Sequence, residues 1–355
     1  MYVILYRIVN GVTKAMSVLI LGIETSCDET SAAVVAEGTE IKSNIISSQV
    51  EVHRKFGGVV PEVASRKHLE LINAVIREAL DQAGLSFKDI DAVAVTYGPG
   101  LVGALLVGVA SAKAIAFGLD IPLIGVNHIE GHVFANFLVE ANPVLPATCL
   151  VVSGGHTELV LVHGPGHYEL LGATRDDAAG EAFDKVARAM GLGYPGGPLI
   201  DQLATGGNDN AVPLPRAYLE EGSLDFSFSG LKTAVINYLH RVTGQGGQVN
   251  QADLAASFRR AVVDILVDKT ISAARRYATG TVMLAGGVAA NKLLRNELSR
   301  RAGAEGLRVV IPPPVLCTDN AAMIACAAYH KYLRGDFAPM TLNAVPSLQL
   351  GVEQY

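Results

Sequence analysis

Apolar runs of strand length recur along the chain, and each is followed by a polar stretch rich in glycine or hydroxyl side chains. Residues 18–22 form the first run, Glu24-Thr25-Ser26-Cys27-Asp28-Glu29-Thr30 a polar turn, and residues 32–35 a second run. Strand, polar turn, strand predicts a hairpin whose tip presents hydroxyls and backbone N–H groups. The same plan returns later: an apolar run at 148–152, the turn Ser153-Gly154-Gly155-His156-Thr157, and a second run at 159–162. The two segments share little identity but one design. That predicts a duplicated fold, two lobes of similar build facing each other across a cleft. Further strands are expected at 92–96, 123–126 and 282–285. Helical periodicity fills the intervals: 69–83, with Gly84 placed as a left-handed cap, then 101–119, a short helix after 126, 253–276 and 321–329. The fold class is α/β.

The longest apolar stretch, 101–119, contains Ser111, Lys113 and many small residues. It reads as a closely packed buried helix rather than a membrane span. The run 2–6 is broken by Arg7, is too short to span a bilayer, and has no small-residue cleavage site after it. Met16 stands directly before the first strong strand. Residues 1–16 are therefore expected outside the fold, 17–143 as a first lobe completed by 321–348, and 147–320 as a second lobe, with a linker at 141–146. The cysteines, at 27, 149, 317 and 326, show no C-x-x-C spacing, as expected of a reduced, cytoplasmic chain.

A formal net charge of −6 excludes a broad phosphate-neutralising face. The absence of Trp and the scarcity of aromatics exclude an extended base-stacking surface. A nucleic-acid substrate would need a local basic patch or a partner. The basic pairs at 54–55, 66–67, 259–260, 275–276 and 300–301 read as solvated helix faces.

The chemistry centres on His128-Ile129-Glu130-Gly131-His132. Two histidines at i and i+4 share one helix face, where they fit either ordinary polar positions or a divalent metal awaiting a third ligand. Asp319, carried to the start of the 321–329 helix by the stiff Pro312-Pro313-Pro314 segment, is a candidate for that ligand and equally for an N-cap. A zincin-type protease places Glu directly after the first His. Glu130 comes one residue later, about 100° further round the helix, and points away from the pair. Asp184, in the acidic stretch 176–185, fits a helix cap or a carboxylate accepting from ribose hydroxyls. The side-chain-poor loop Tyr194-Pro195-Gly196-Gly197-Pro198 and Asp201 follow it. Strand 282–285 runs into Gly286-Gly287 and then Asn291, a geometry in which backbone approaches a nucleotide. Asp28 and Glu29, on the first hairpin turn, fit turn caps or groups that orient or accept a proton.

Taken together, residues 22–30, 128–132, 153–157, 176–185, 194–198, Phe228-Ser229-Gly230-Leu231-Lys232, 285–291 and 317–320 resemble the bacterial form of the universal tRNA N6-adenosine threonylcarbamoyltransferase family, once labelled an O-sialoglycoprotein endopeptidase. The resemblance runs in order from about 18 to 332. It implies a two-lobed actin/Hsp70-like (ASKHA) fold, with duplicated mixed-sheet lobes around a nucleotide cleft. The implied reaction moves the threonylcarbamoyl group from threonylcarbamoyl-adenylate to N6 of adenosine 37, in tRNAs reading codons that begin with A, and releases AMP. Carried over residue by residue, it implies one divalent metal, Fe(2+) with Zn accepted in vitro, on His128, His132 and Asp319. The implied nucleotide-side contacts are Val151, Val152, Ser153, Gly154, Gly155, Asp184, Gly197, Asp201 and Asn291. Archaeal relatives have a Tyr near the metal where this chain has Val151, so a substrate oxygen or water must take that place. Implied partners are an inactive paralogue of the same fold, as heterodimer partner, and a small P-loop ATPase. The competing readings are a small-molecule kinase of the same superfamily and a non-catalytic nucleotide-dependent scaffold. A kinase would carry magnesium on carboxylates and water rather than on two histidines.

Overall fold

The computed structural model describes residues 6–9, 12–15, 17–216 and 218–354. Among the described residues, strands β1 (Tyr6–Val9) and β2 (Val12–Ala15) pair only with each other, as an antiparallel hairpin. The first lobe then begins with β3 (Leu19–Glu24), β4 (Glu29–Ala36) and β5 (Glu40–Ser48). Helices α1 (Val50–Arg54) and α2 (Pro61–Ala83) follow, then β6 (Ala92–Gly98), α3 (Val102–Leu119), β7 (Leu123–Asn127) and the histidine helix α4 (His128–Phe134). The second lobe opens with β8 (Ala147–Val152), β9 (Thr157–Gly164) and β10 (His167–Ala173). Helices α5 (Ala179–Ala189), α6 (Gly196–Leu203), α7 (Ser229–Gly244) and α8 (Gln251–Arg276) lead to β11 (Thr281–Ala285), α9 (Lys292–Ala304) and β12 (Arg308–Val310). The turn α10 (Pro314–Cys317) and helix α11 (Ala321–Arg334) return the chain to the first lobe.

The duplication extends well beyond the two hairpins. The sheets have orders β5-β4-β3-β6-β7 and β10-β9-β8-β11-β12, an identical connectivity in which an antiparallel meander is extended by two parallel strands. The strands read as unbroken apolar runs because both faces of each sheet are covered. Alternate residues divide between layers: Ile20, Ala92 and Ala94 face a central core, whereas Leu21, Val93 and Val95 face α2 and α3. In the second sheet Cys149, Val151 and Met283 face the same central core, and Leu150, Val152 and Leu284 the core built on α5 and α8. Helices α4 and α11 fill the layer between the sheets, so the two lobes share one core.

Helix α2 begins at Pro61, eight residues before the periodicity implied, because its first turns are largely exposed. Gly84 takes the expected left-handed cap at φ 67°. Helix α3 departs from expectation. One face, with Ala104, Leu105, Gly108, Ala112 and Ala116, is buried, while Val102, Leu106 and Phe117 are exposed. It is long and apolar enough to cross a membrane by composition, and here its buried face packs on α2 and β6.

Candidate functional site

Strand β7 ends at Asn127, whose side-chain oxygen accepts from the N–H groups of Ile129 (2.8 Å) and Glu130 (3.3 Å) and so starts α4 abruptly. Every residue of this seven-residue helix is buried. At Gly131 a Cβ would meet Ile324 Cδ1 at 2.6 Å, so α4 lies directly on α11 with both histidines turned toward the start of that helix. The capping role open to Asp319 falls instead to Asn320, whose oxygen accepts from Met323 N–H at 3.1 Å. Asp319 turns to the histidines: its Oδ1 lies 3.1 Å from His132 Nε2 and 3.6 Å from His128 Nε2.

These three side chains can hold a metal ion, since one ligand atom from each lies within 4.8 Å of the others. The fit is chemical as well as geometric. His132 is wholly buried, its Nδ1 makes no hydrogen bond among the described residues, and its Nε2 meets Asp319 Oδ1 without hydrogen-bond alignment. A buried polar atom left in that state is costly unless something else satisfies it. The other face of His128 is held by Glu24, at the end of β3: Nδ1 donates to Glu24 Oε2 at 3.0 Å, and the same oxygen accepts from Thr96 Oγ1 at 2.6 Å. A carboxylate behind an imidazole fixes its orientation and leaves Nε2 for a metal. Burial alone would lower the His128 pKa, but Asp319 and Glu24 outweigh it and push it to about 9. Burial would raise Asp319, yet His128 and His132 hold it well below the usual carboxylate range. Glu130 sits on the opposite side of α4, accepting from Tyr168 Oη at 2.9 Å and facing Lys331, which removes the protease-type base as argued from its spacing.

The cluster forms one wall of a cavity of about 870 Å³ between the lobes. Both hairpin turns reach it, and it brings together Asp28, Glu29, Ser153, Gly154, Gly155, Asp184, Gly197, Asp201, Asn291, His128 and Asp319. Val151 and Val152 are not part of it: the alternation of β8 sends the first side chain into the central core and the second into the α5–α8 core. The second turn is closed by Ser153 N–H donating to the His156 carbonyl at 2.8 Å. That N–H is engaged, and the groups left for a ligand are those of Gly154 and Gly155, which make no protein hydrogen bond among the described residues. The turn approaches α5 so closely that a Cβ on Gly180 would meet the Ser153 carbonyl oxygen at 2.6 Å. Across β11, Gly286 (φ 90°) passes over Val152 in a backbone shape that only glycine adopts without strain.

Asp184 lies inside α5 rather than at its cap, and accepts the Gly196 N–H at 2.7 Å with one oxygen. Asp201 Oδ1 accepts from Arg259 Nη1 at 2.8 Å and Asn291 Nδ2 at 3.0 Å. Asn291 also caps α9 through its oxygen, so its amide is engaged at both ends. On the first turn, burial and the neighbouring Asp28 push Glu29 up to about 8. Burial, with Asp319, also raises Asp28. Glu24, His156 and the segment Gly57-Gly58-Val59, which carry no role in the sequence pattern, lie at or beside the site. His156 lines the cavity, and burial with the nearby histidines holds it down at about 4.

A family model described as tRNA N6-adenosine threonylcarbamoyltransferase matches residues 40–326. This chain belongs to the tRNA N6-adenosine threonylcarbamoyltransferase family. A protein of that name from Moorella thermoacetica is 62% identical over 331 residues, 93% of this chain and 97% of its own length. Another from Symbiobacterium thermophilum is 62% identical over 334 residues, covering 94% and 97%. Among solved structures, HypF of T. kodakarensis aligns with TM-score 0.60 at 15% identity, over 93% of this chain and 51% of that one. Component A of the Acidaminococcus fermentans (R)-2-hydroxyglutaryl-CoA dehydratase aligns with TM-score 0.51 at 15% identity, over 88% and 98%. These two establish the two-lobed fold and nothing more. The threonylcarbamoyltransferase family places the chain among transferases that modify tRNA.

Proposed function

We propose that the interlobe cavity holds threonylcarbamoyl-adenylate and that this chain transfers its threonylcarbamoyl group to N6 of adenosine 37, in tRNAs reading codons that begin with A, with AMP leaving. The observation that carries the site assignment is the joining, in one cavity, of the His128–His132–Asp319 cluster with the glycine-rich turn of β8–β9 and the carboxylates of α5 and α6. The donor is a mixed carbamic–phosphoric anhydride. In the transfer, the carbamoyl carbon gains a bond to N6, its bond to the phosphate oxygen breaks, and one N6 proton is lost. Gly154 and Gly155 N–H groups are placed to meet developing negative charge. Asp184 and Asp201 serve the ribose, each through the oxygen not already engaged. Asp28 and Glu29 are the candidates to orient N6 and take its proton; Glu29, shifted to about 8, accepts a proton at neutral pH only in its minor ionised fraction. N6 is a weak nucleophile because its lone pair is delocalised into the ring, so positioning carries much of the rate. The metal held by His128, His132 and Asp319, iron on the family's pattern, supplies Lewis-acid polarisation of donor oxygens when bound.

The exposed apolar stripe Val102, Leu106 and Phe117 of α3 supports docking of the same-fold paralogue there. The small ATPase completes the set of partners, and all of them act in the cytoplasm. The two-histidine cluster weighs against the kinase reading. The test is transfer of label from donor carrying isotopic threonine into tRNA, with AMP released in equal amount. AMP release without labelled tRNA would leave only a hydrolase.

A further inference from the structure

Between α1 and α2 the chain crosses the open side of the cavity. Arg54 Nε donates to the Tyr194 carbonyl at 3.3 Å, and Arg188 of α5 donates to the Gly57 carbonyl, so this loop ties the first lobe to the second at the cavity mouth. Gly57, Gly58 and Val59 line the cavity. Immediately before them stands Phe56, 58% exposed, preceded by Arg54 and Lys55. Arg54 shares its charge with the exposed Glu51, 2.9 Å away. Lys55 and Arg188 are exposed on the same rim. The loop is braced from below. His53, wholly buried, accepts the Val60 N–H through Nδ1 at 3.3 Å, and its Nε2 lies 3.3 Å from Gln49 Oε1. Gln49 in turn donates toward His68 Nδ1 at 3.4 Å, and His68 Nε2 donates to the Cys27 carbonyl at 2.9 Å. A buried polar chain therefore runs from the turn that carries Asp28 to the loop that carries Phe56.

A large aromatic ring held in water by a rigid loop, flanked by cations, at the mouth of a site that acts on a nucleobase has a specific use. Bases of single-stranded loops are recognised by splaying out and stacking on aromatic side chains, with nearby cations meeting the phosphates. We propose that Arg54–Gly58 is the docking surface for the tRNA anticodon loop, with Phe56 stacking on a base next to the target adenosine. This rests on the transferase reading above. It supplies the local basic patch that a chain of net charge −6 requires, and it does so with one aromatic rather than an extended platform. The bracing through His53, Gln49 and His68 holds the loop backbone in place before tRNA arrives, which limits the ordering cost on binding.

The experiment uses the full chain with its partner proteins and two probes: an anticodon stem-loop RNA with unmodified adenosine 37, for equilibrium binding, and intact tRNA with threonylcarbamoyl-adenylate, for kinetics. Phe56→Ala should weaken stem-loop binding and raise KM for tRNA roughly tenfold or more. KM for the donor and metal content should stay at parent values, and Phe56→Trp should restore tRNA binding. Unchanged stem-loop binding in Phe56→Ala, with the parent binding normally, overturns the proposal. So does an equal rise in KM for the donor, which would make the loop a cover for the adenylate. If the parent binds stem-loop RNA through Phe56 but forms no modified nucleoside, the reaction assignment falls while the docking surface stands.

Discussion

Glu24 gives the sharpest test of how the metal cluster is held. It is fully buried, and its two oxygens serve three donors: Ser26 N–H at 2.5 Å, Thr96 Oγ1 at 2.6 Å and His128 Nδ1 at 3.0 Å. In Glu24→Gln one oxygen becomes an NH2 group. Thr96 can turn its hydroxyl to accept from it, but neither the Ser26 N–H nor a protonated Nδ1 can. The substitution therefore removes the charge behind His128 and leaves Ser26 Oγ, 3.1 Å away, as the remaining acceptor for Nδ1–H, which favours the other tautomer, with the proton on Nε2, where a metal must bind. Losing a charge-assisted hydrogen bond costs about 1.5–3 kcal/mol. That corresponds to roughly 10- to 150-fold in affinity, and it overlaps the 10- to 100-fold typical of altered groups behind a metal-bound histidine. The assay is competition with a chelator of known affinity, with thermal unfolding run alongside to show an intact fold. Metal affinity within about twofold of the parent, in a folded variant, would refute the claim that Glu24 sets the ligand face of His128.

Asp184→Asn should weaken AMP binding about tenfold or more while keeping an oxygen for the Gly196 N–H; calorimetry showing parent affinity removes Asp184 from the ribose site. Glu29, raised from 4.5 to about 8, keeps a proton in the folded chain that the unfolded chain releases. The folded state thus binds more protons across that window, and stability falls as pH rises through it, by at most about 1.4 kcal/mol per pH unit. Glu29→Gln should flatten this slope in denaturant titrations at several pH values, and identical slopes would discard the shift. Leu106→Asp with Phe117→Asp should abolish co-elution with the same-fold paralogue without lowering the melting temperature of the isolated chain; retained co-elution places the interface elsewhere.

Much of the fold was legible because covered sheets leave continuous apolar runs, and the repeated hairpins announced the duplication. Strands β5 and β10 gave no such signal: as edge strands, with exposed residues such as Glu40, Ile41 and Leu170, they lack a buried pattern. The same coverage limits what Val151 and Val152 can offer a ligand to their backbone. The family resemblance implies ligand contact at both, and strand alternation gives each side chain to a core. The histidine pair was visible from spacing. Whether Asp319 caps the helix or faces the histidines was not, since its residue type fits both and only the direction of its side chain decides. Glu24 was hidden for another reason: its partner His128 lies 104 residues away, and no local pattern encodes that pairing. Phe56 was invisible because its exposure, 58%, is set by tertiary packing that no local pattern records.

The most direct measurement is mass spectrometry of tRNA nucleosides after reconstitution. The chain, loaded with metal and joined by its partners, is incubated with threonylcarbamoyl-adenylate and unmodified tRNA, and the tRNA is digested. The account predicts threonylcarbamoyladenosine at adenosine 37 with the parent chain and its loss with Asp319→Asn. Unmodified tRNA from the parent, with metal and partners verified in the reaction, would contradict it.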